Sequence, residues 1–582
     1  MRNDYIVRNT YYSFVLVSIL SSLTATAGML IDNIIVGWYL GDEALGAMGV
    51  AGAVSLVFSA IGNICSGGGG ARAAQALGRG DRETYCRIFT TNTLFVLAAG
   101  AILTALGILF TPGIASLLGA RDSLLKPTTD YLYGIFLGAI PTILLSAMMT
   151  FVRMDGSPKL PLICICVMSA SNIAMDLMMV HVFHLGMFGM ALATTISYCL
   201  SVVTAMTHFL KKDSTLHLTR PKAFFQDLGK TLLTGFPTAI SRLSDTFKVT
   251  VLNHLLVTFV SVGAVTALSV RTTTSNFFGA IILGIGQSAT PTIGMFFGEE
   301  DRTAMRDTLK TTLKLGLTIT CILAVLLLVF PAFFAQLLGV NEQPLLNMSV
   351  AAIRLFGLGL PIQLINSLLL NYYQSTKKVA MATMICLLQS LIYTLVFALI
   401  LILPMGASGI WLAFLLGEVM TLMTVGLVLF LKQGKTALSF NSAMMLDENF
   451  GGDPQDRLEI SIGNSMDEVM MISTGIYKFG KNRSLSQETL NTLSLFIEEL
   501  AGNVVQHAFK PGEKRWLDLT IMDKPEKLII RVRDNGSAFD PTAYLSAGET
   551  RGFGLLIIQK LAEKIEYRRN MGLNNLIIHL KK

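Results

Sequence analysis

The sequence predicts a mainly α-helical membrane protein with twelve transmembrane helices in two six-helix repeats, followed by a C-terminal α/β two-layer sandwich. Of the 582 residues, 52% are hydrophobic and 14% are charged, whereas about 25% are charged in a typical soluble domain. Apolar runs of about 20 residues, long enough to cross a bilayer, recur from the N-terminus to about residue 432. Beyond that point the apolar residues follow the spacing of period-two strands and amphipathic helices.

The apolar runs define the domain organisation. The first run is too long for a cleavable signal peptide, and more follow. We expect spans near 13–40, 47–71, 89–112, 128–151, 158–181, 187–210, 231–258, 263–296, 311–335, 349–373, 379–402 and 407–431. They divide the chain into a transmembrane N-lobe (1–220, helices 1–6), a transmembrane C-lobe (221–432, helices 7–12), a linker (433–456) and a cytoplasmic domain (457–582).

Positive charges concentrate in alternate loops. With the N-terminus inside, the inner loops carry clusters such as those in 72–87, 211–230 and 302–314, whereas the outer loops offer Arg121 and Lys126. Lysine and arginine in short loops favour the cytoplasmic side. We therefore expect a multi-pass protein of the cell inner (plasma) membrane with both termini in the cytoplasm.

The spans repeat with an offset of 220 residues. "LLGA" at 117–120 corresponds to "LLGV" at 337–340, and "GDR" at 80–82 corresponds to "EDR" at 300–302. Proline and glycine positions agree with the same offset: Pro141 with Pro361, Gly186 with Gly406, and Gly189 with Gly409. Two related six-helix halves are typical of transporters that handle their substrate between or within the halves. A duplicated membrane scaffold without transport is the alternative.

Four polar residues within the N-lobe spans are candidates for an ion or proton site: Asp32, Asn172, Asp176 and Thr194. An ionised residue at mid-bilayer costs about 2.5–3.5 kcal/mol on insertion scales, so each one needs a reason. A buried aspartate pair beside an amide and a hydroxyl can share a proton or hold a cation. The alternative is a pair of carboxylates that snorkel to the membrane surface or make structural hydrogen bonds. Bilayer folding does not require the set, because the repeat-equivalent residues are apolar: Leu252, Ile392, Val396 and Phe414.

The segments "DNIIVGWYLGDEALGAMGV" (32–50) and "SNIAMDLMMVHVFHLGMFGMALATTIS" (171–197) resemble motifs of the MATE (multidrug and toxic compound extrusion) family. "GIGQSATPTIGMFFGEED" and "LPMGASGIWLAFLLGE" (403–418) resemble its second half, and the resemblance covers residues 8–432. It implies a two-lobe, cation-coupled exporter. In the branch with an N-lobe proton or sodium site, the matching residues are the same four.

Another branch of that family uses acidic residues in the C-lobe. Here spans seven, eight and ten contain Arg242, Asp245, Lys248, Arg271 and Arg354. Arg242 and Asp245 can pair at i, i+3, and we expect Arg271 to reach Asp245. We interpret the group as an ion-pair network, and a drug-facing polar patch is the alternative. Glu418 in span twelve looks isolated.

The C-terminal segment predicts a compact α/β layer. "RLEISIG" (457–463) alternates as a strand, and two helices follow at about 465–479 and 486–509. Further strands are predicted at 515–523 and 527–536, a helix at about 554–564, and a closing hairpin from "IEYRRN" and "NLIIHLKK".

The helix "FIEELAGNVVQHAF" carries Glu499, Asn503 and His507 on one stripe, at i, i+4 and i+8. An amide oxygen suits Mg²⁺, which prefers oxygen ligands, and a carboxylate one turn away can orient water or accept a proton. The chemistry of this stripe therefore suits a metal-bound nucleotide.

Two later stretches fit a nucleotide pocket. In "RDNGSAFDP", Asp534 ends a strand and can accept from an exocyclic amine, while Gly536 permits a tight turn. In "TRGFGLLIIQKLAE", Gly552 and Gly554 begin a helix whose backbone amides favour phosphate oxygens, and Arg551 adds charge.

These three stretches, which lie on a helix, at a strand end and at a helix start, resemble in this order the N, G1 and G2 boxes of the GHKL ATPase superfamily. The short forms look most like the serine kinases that act as anti-sigma factors, and the match covers residues 457–582. The resemblance implies ATP as cofactor, with Asn503 as the Mg²⁺ ligand through the nucleotide, Glu499 as the catalytic carboxylate and Asp534 reading the adenine. It implies that Gly536, Gly552 and Gly554 shape the pocket and lid, and that His507 hydrogen-bonds the lid. It also implies a protein partner of the kind that antagonises anti-sigma factors. A degenerate fold without ATP binding is an alternative. A sensor histidine kinase fits poorly, because residues 433–506 contain no histidine.

Three functions remain open on the sequence. The first is a proton- or sodium-coupled antiporter that exports drugs or other amphipathic organic molecules, with an ATP/Mg²⁺-binding regulatory domain. The second is a membrane-tethered protein-serine kinase that uses the carrier half as a sensor. The third is a flippase for lipids or polysaccharide precursors. The expected partners are the bilayer, a small-molecule substrate and a protein, with no nucleic acid.

Overall fold

A computed structural model describes residues 3–211, 214–220, 222–434, 440–447, 449–509, 515–538, 540–542 and 553–581. Its internal contacts define two compact units. The sheet unit comprises Met1–Ser13, Glu300–Thr308 and Leu446–Lys582, and the helical unit comprises Phe14–Glu299 and Leu309–Met445. Two helices, which begin at Tyr5 and Arg302, therefore start in the sheet unit and continue into the helical unit.

The membrane part consists of helices. Those of the first repeat are α1 (Tyr5–Leu40), α2 (Asp42–Asn63), α3 (Gly70–Arg79), α4 (Arg82–Leu117), α5 (Leu125–Leu137), α6 (Ala139–Met154), α7 (Leu160–His181) and α8 (Gly186–Met206). Those of the second are α9 (Phe224–Phe259), α10 (Val262–Gly298), α11 (Arg302–Val329), α12 (Pro331–Leu337), α13 (Gln343–Ser375), α14 (Val379–Leu387), α15 (Tyr393–Met405) and α16 (Ala407–Gln433). Two π-helical segments, Ile64–Gly69 and Leu388–Ile392, join α2 to α3 and α14 to α15.

Each of the twelve predicted spans coincides with one of these helices or with a broken pair of them. In the described residues, ten helices are long and apolar enough to cross a membrane, or eleven if α5 and α6, bent by 50°, form one span. Helix α9 has 36 residues and carries Asp245 and Lys248. The prediction of a mainly helical, multi-pass membrane protein is confirmed.

The 220-residue repeat is visible in the turns. Gly119 and its counterpart Gly339 have φ values of 98° and 87°, and Gly186 and Gly406 have values of 54° and 56°. Gly80 has φ 75°, and its counterpart Glu300 keeps a positive φ of 54° although it has a side chain. Matching backbone conformations at matching positions show that the two halves turn their chains in the same way.

The glycine-rich stretch after α2 extends the second span instead of ending it. We expected this span to end near residue 71, but helix continues through the π segment and α3 to Arg79. A Cβ on Gly68 would collide with the backbone of Gly235 in α9. The glycines therefore permit close backbone packing between the two lobes.

A buried carboxylate also joins the lobes. Asp227 of α9 is 3% exposed. Its Oδ1 accepts a hydrogen bond from Arg72 (2.8 Å), and its Oδ2 accepts one from Arg87 (2.6 Å). Arg72 also donates to the Asp227 carbonyl and to the Thr231 hydroxyl. The cluster ties α3 and α4 of the first repeat to the beginning of the second.

The residues after α16 pack on the helical unit as well. A short helix, α17 (Phe440–Ala443), follows within the predicted linker. Tyr372 donates to the carbonyl of Met444 at 2.9 Å, and Tyr373 donates to that of Ala443 at 2.8 Å.

The sheet unit contains a five-stranded antiparallel sheet of order β1-β2-β3-β5-β4. Its elements are β1 (Arg457–Gly463), α18 (Met466–Asn482), α19 (Gln487–Asn503), β2 (Trp516–Asp523), β3 (Lys527–Asp534), α20 (Phe553–Leu561), β4 (Ala562–Asn570) and β5 (Leu573–Lys581). The predicted α/β layer and closing hairpin are confirmed. Two helix ends differ: a π turn (Val504–Ala508) follows α19, and α20 ends at Leu561 because β4 starts at Ala562.

The core of this domain lies between one face of the sheet and α18–α20. Even-numbered residues of β3, such as Leu528, Ile530 and Val532, face this core together with Phe496 of α19. Asp534 continues the same series at the strand end. Alternation along the strand therefore aims Asp534 toward α19 and its polar stripe.

Candidate functional site

Three of the four predicted membrane residues form one cluster. The Asn172 side chain donates from Nδ2 to Asp176 Oδ2 at 2.7 Å and to Asp32 Oδ1 at 3.3 Å. Asn172 and Asp176 lie one turn apart on α7, and Asp32 lies on α1. The amide of Asn172 therefore bridges the carboxyl groups of the two aspartates.

Two residues of the cluster are buried, and Asp32 is partly exposed. Asp176 is 0% exposed and Asn172 is 6% exposed. Within the described part of the chain, Oδ1 of Asp176 is buried without a hydrogen-bond partner. An unsatisfied carboxylate oxygen in a low-dielectric site is costly, so the geometry suits a proton or a small cation shared between the two aspartates.

Thr194 does not join this cluster by its own donor. Its hydroxyl donates to the Met190 carbonyl of α8 at 3.2 Å. The structure instead brings Tyr131 of α5 and Tyr198 of α8 within electrostatic reach of the aspartates. The sequence pattern gave no signal for these tyrosines, because an aromatic residue in an apolar span is ordinary.

The C-lobe polar residues include one pair that we did not expect. Lys248 pairs with Asp245 at 2.9 Å. The side chain of Arg242 lies outside the described structure, so its pairing with Asp245 stays a prediction. We expected Arg271 to reach Asp245, but its guanidinium stacks 3.4 Å from the ring centre of Phe414, and Glu418 is the acid near it. An aromatic face attracts a guanidinium that the apolar span would otherwise leave desolvated.

Glu418 is not isolated, contrary to our expectation. Asn366 donates to its Oε2 at 2.8 Å, and Gln389, in the second π segment, donates to its Oε1 at 3.2 Å. Each carboxylate oxygen therefore has an amide donor. Sequence spacing could not reveal this, because the three residues come from three different helices.

In the sheet domain, Glu499 and Asn503 of α19 contact each other as their spacing predicts. Asn503 Nδ2 donates to Glu499 Oε1 at 3.0 Å. This bond fixes the orientation of the amide and leaves its oxygen for a hard cation such as Mg²⁺. In the described residues there is no group of three or more histidine, cysteine, aspartate or glutamate side chains that could hold a metal, so a cation here would also need phosphate oxygens or water.

Asp534 lies at the end of β3 and is 4% exposed. Its Oδ1 accepts from the Gly536 amide and from Asn574 of β5, both at 2.8 Å. Burial raises the pKa of Asp534, although these two donors and Arg569 oppose the shift. Both bonds end on one oxygen, an arrangement that suits Oδ2 for an exocyclic amine.

Gly536 closes the turn beside α19. A Cβ at this position would lie 2.6 Å from the Ala508 carbonyl oxygen and 2.9 Å from Asp534 Oδ1. The Ser537 amide donates to the same carbonyl at 3.1 Å. The loop after β3 is thus held against the segment that follows α19. Asp534 and Gly536 together fit the adenine end of a nucleotide.

Several predicted residues cannot be placed. Arg551 and Gly552 lie outside the described residues, as does the side chain of His507, and Gly554 is described only as backbone in the first turn of α20. Their assignments stay predictions. Asn574 is the residue that sequence reasoning missed: it joins Asp534 to Tyr567, whose hydroxyl donates to Asn574 Oδ1 at 2.8 Å.

Comparison with known protein families gives two matches. The MatE family model matches residues 18–178 and 237–400. The model of the histidine kinase-like ATPase domain matches residues 468–580.

Curated relatives match the membrane part. The multidrug export protein MepA of Staphylococcus saprophyticus is 26% identical over 432 residues, which is 73% of this chain and 94% of the relative. The probable multidrug resistance protein YoeA of Bacillus subtilis is 25% identical over 344 residues, or 56% of this chain and 72% of the relative.

Solved structures share the fold. An outward-facing multidrug resistance MATE family transporter of the MOP superfamily superposes with a TM-score of 0.68 at 19% identity, covering 76% of this chain and 97% of that one. A MOP superfamily transporter from Pyrococcus furiosus gives 0.68 at 18% identity, covering 75% and 97%.

Proposed function

Because the chain belongs to the MatE family, we propose that it is a cation-coupled antiporter, driven by protons or sodium ions, that exports drugs or other amphipathic organic molecules. The observation that carries the proposal is the hydrogen-bonded cluster of Asp32, Asn172 and Asp176, in which Asp176 is fully buried. The related exporters named above support the substrate class.

The cluster supports coupling through charge. Two neighbouring carboxylates repel each other, and the buried Asp176 is poorly solvated, so a proton or sodium ion stabilises the pair. Asn172 bonds both carboxylates at once, so uptake of a cation by one changes the orientation of the other. In this mechanism, α1 and α7 move relative to each other as the cation binds and leaves, and the substrate is released in exchange.

The test is efflux from vesicles containing the full chain, with a lipophilic cationic dye as probe and imposed pH or sodium gradients. Asp176→Asn and Asp32→Asn should each abolish gradient-driven efflux. Glu83→Gln, which changes an exposed carboxylate in the first turn of α4 (side chain 68% exposed), is the matched control and should leave it intact. Efflux by both aspartate variants at wild-type rate would refute the proposal. Movement of a lipid-linked substrate with no dye efflux would indicate a flippase.

We further propose that the C-terminal domain binds Mg²⁺ and ATP in the cytoplasm and regulates the carrier. The match to the histidine kinase-like ATPase domain and the Asp534–Gly536 turn support ATP binding. Asp534 would hold the adenine, and Asn503 would hold Mg²⁺ on the phosphates. Asn503→Ala should stop binding of Mg-ATP while dye efflux persists without its ATP dependence.

A second candidate is a protein-serine kinase. The contact between Glu499 and Asn503 favours it, because it places a carboxylate beside the expected Mg²⁺ ligand, where it can accept a hydroxyl proton. Such a kinase would phosphorylate a protein of the anti-sigma-antagonist type. If this is the main activity, Asn503→Ala should remove all function and Asp32→Asn should be nearly silent.

A further inference from the structure

The face of the sheet opposite the helices has an unusual character: it is polar and yet buried. Arg531 and Arg533 of β3 are 7% and 1% exposed, and Asp518 of β2 and Asn575 of β5 are 3% and 2% exposed. In a two-layer α/β domain the second face of the sheet commonly meets water. Burial of charged residues here needs partners.

The segment Glu300–Thr308, which belongs to the same compact unit, supplies one of them. Asp301, 1% exposed, lies with its Oδ2 3.2 Å from Arg533 and 3.7 Å from Arg531. Its Oδ1 accepts from the Ala304 amide at 2.9 Å and caps the N-terminus of α11. One carboxylate thus starts a helix with one oxygen and pairs with the sheet with the other.

The repeat provides an internal comparison. Asp81 occupies the position equivalent to Asp301, and its Oδ1 caps α4 through the Thr84 amide at the same distance, 2.9 Å. Asp81 is exposed, however. The cap is therefore common to both halves, whereas among the described residues the buried ion pairs with sheet arginines are those of Asp301. The backbone agrees, because Glu300 keeps a positive φ where the first half has Gly80.

The pairing lies directly behind the nucleotide site. In the register of β3 and β5, Arg533 pairs with Asn575, and Asp534 pairs with Asn574. Arg533 donates to Asn575 Oδ1 at 2.9 Å on one face, and Asn574 donates to Asp534 Oδ1 at 2.8 Å on the other. Successive residues of a strand point to opposite faces. The two hydrogen bonds therefore belong to neighbouring residue pairs of β3 and β5 and lie on opposite faces of the sheet.

We propose that this face of the sheet, through Arg531 and Arg533, is the docking surface for the loop that begins α11, and that docking at Asp301 and ATP binding at Asp534 stabilise each other. The inference rests on the proposed ATP site and specifies its regulatory output. Fixing Arg533 holds the end of β3 that presents Asp534. By thermodynamic reciprocity, ATP bound at Asp534 strengthens the hold on Asp301.

The experiment is calorimetric titration of the full chain in lipid nanodiscs with Mg-ATP. Asp301→Asn removes the charge and keeps the cap, since asparagine caps helices as well as aspartate. We expect it to weaken Mg-ATP binding by about fivefold or more, the lower end of typical coupling energies. Asp81→Asn makes the same change at the equivalent position and should leave the affinity within about twofold.

Each failure has its own signature. Unchanged affinity in Asp301→Asn, together with lost binding in Asp534→Asn, would overturn the coupling and leave the ATP site standing. Binding that persists in Asp534→Asn, or is absent from the wild type, would overturn the ATP site and the coupling with it. A measurement on the wild type tests the coupling even if the variants misfold. Hydrogen exchange of the Ala304–Thr308 amides should slow when Mg-ATP is added. An unchanged exchange rate would refute the coupling.

Discussion

Replacement of Gly536 by alanine should weaken nucleotide binding through a steric effect that the structure locates. The added Cβ would lie 2.6 Å from the Ala508 carbonyl oxygen, 2.8 Å from the Ala508 Cβ and 2.9 Å from Asp534 Oδ1. Contacts this short must relax, and two of the three atoms belong to the chain segment that follows α19. Relaxation therefore moves either that segment or the carboxylate that would hold the adenine.

The magnitude follows from the cost of overpacking a buried site, which is about 1–3 kcal/mol. If this cost falls on the nucleotide-competent arrangement, the affinity for Mg-ATP decreases by about five- to 150-fold, since about 1.4 kcal/mol corresponds to a factor of ten. Titration of the full-length variant with Mg-ATP measures the effect directly.

Gly502 offers a matched control in the same domain. A Cβ there would meet only the Met466 Cε at 3.7 Å, an ordinary contact, and alanine is favoured over glycine within a helix by about 0.5–1 kcal/mol. Gly502→Ala should therefore bind Mg-ATP like the wild type. Wild-type affinity in Gly536→Ala, with correct folding, would show that the turn after β3 does not shape the nucleotide site.

Two further predictions concern pH and lobe contact. Burial raises the pKa of Asp534, and an adenine amine needs the ionised carboxylate. The affinity for Mg-ATP should therefore fall on acidification from a higher pH than an ordinary aspartate would give. An affinity that stays unchanged down to the ordinary aspartate range would contradict this prediction. Asp227→Ala removes a buried acid from its two arginines, a loss of about 3–5 kcal/mol, whereas Glu83→Gln breaks an exposed pair worth at most about 1 kcal/mol. The measurement is the rate of thiol labelling at a cysteine introduced at Gln75, which is 3% exposed, in a background without the seven native cysteines. Labelling should be faster in Asp227→Ala and unchanged in Glu83→Gln. Equal rates in the two variants would refute the idea that Asp227 holds the lobes together.

Much of the fold could be predicted because its determinants are local. Span length, strand alternation and the 220-residue offset are all properties of short stretches, and each survives in the structure. The errors occur where packing decides. Helix continues past residue 71 to Arg79 because glycines there permit close contact with α9, and the helix before β4 ends early because the ladder with β5 takes over at Ala562.

The sites were predictable to the extent that their residues share a helix. Asn172 with Asp176, and Glu499 with Asn503, follow from i, i+4 spacing. Asn574, by contrast, reaches Asp534 only because β5 pairs with β3. This contact depends on strand pairing between distant parts of the chain, which a local sequence pattern does not predict.

The repeat also explains why coupling is expected in the first lobe. Gln389 and Glu418 of the second lobe occupy positions equivalent to Ser169 and Tyr198 of the first, so both lobes place polar groups at corresponding points. In the second lobe, amide donors satisfy both oxygens of Glu418, and the charge of Arg271 is nearby. In the first, Asn172 alone bridges two acids, and within the described residues Asp176 Oδ1 has no hydrogen-bond partner. A bound cation gains most where negative charge is uncompensated, and this favours the proposed coupling site at Asp32 and Asp176 over one at Glu418.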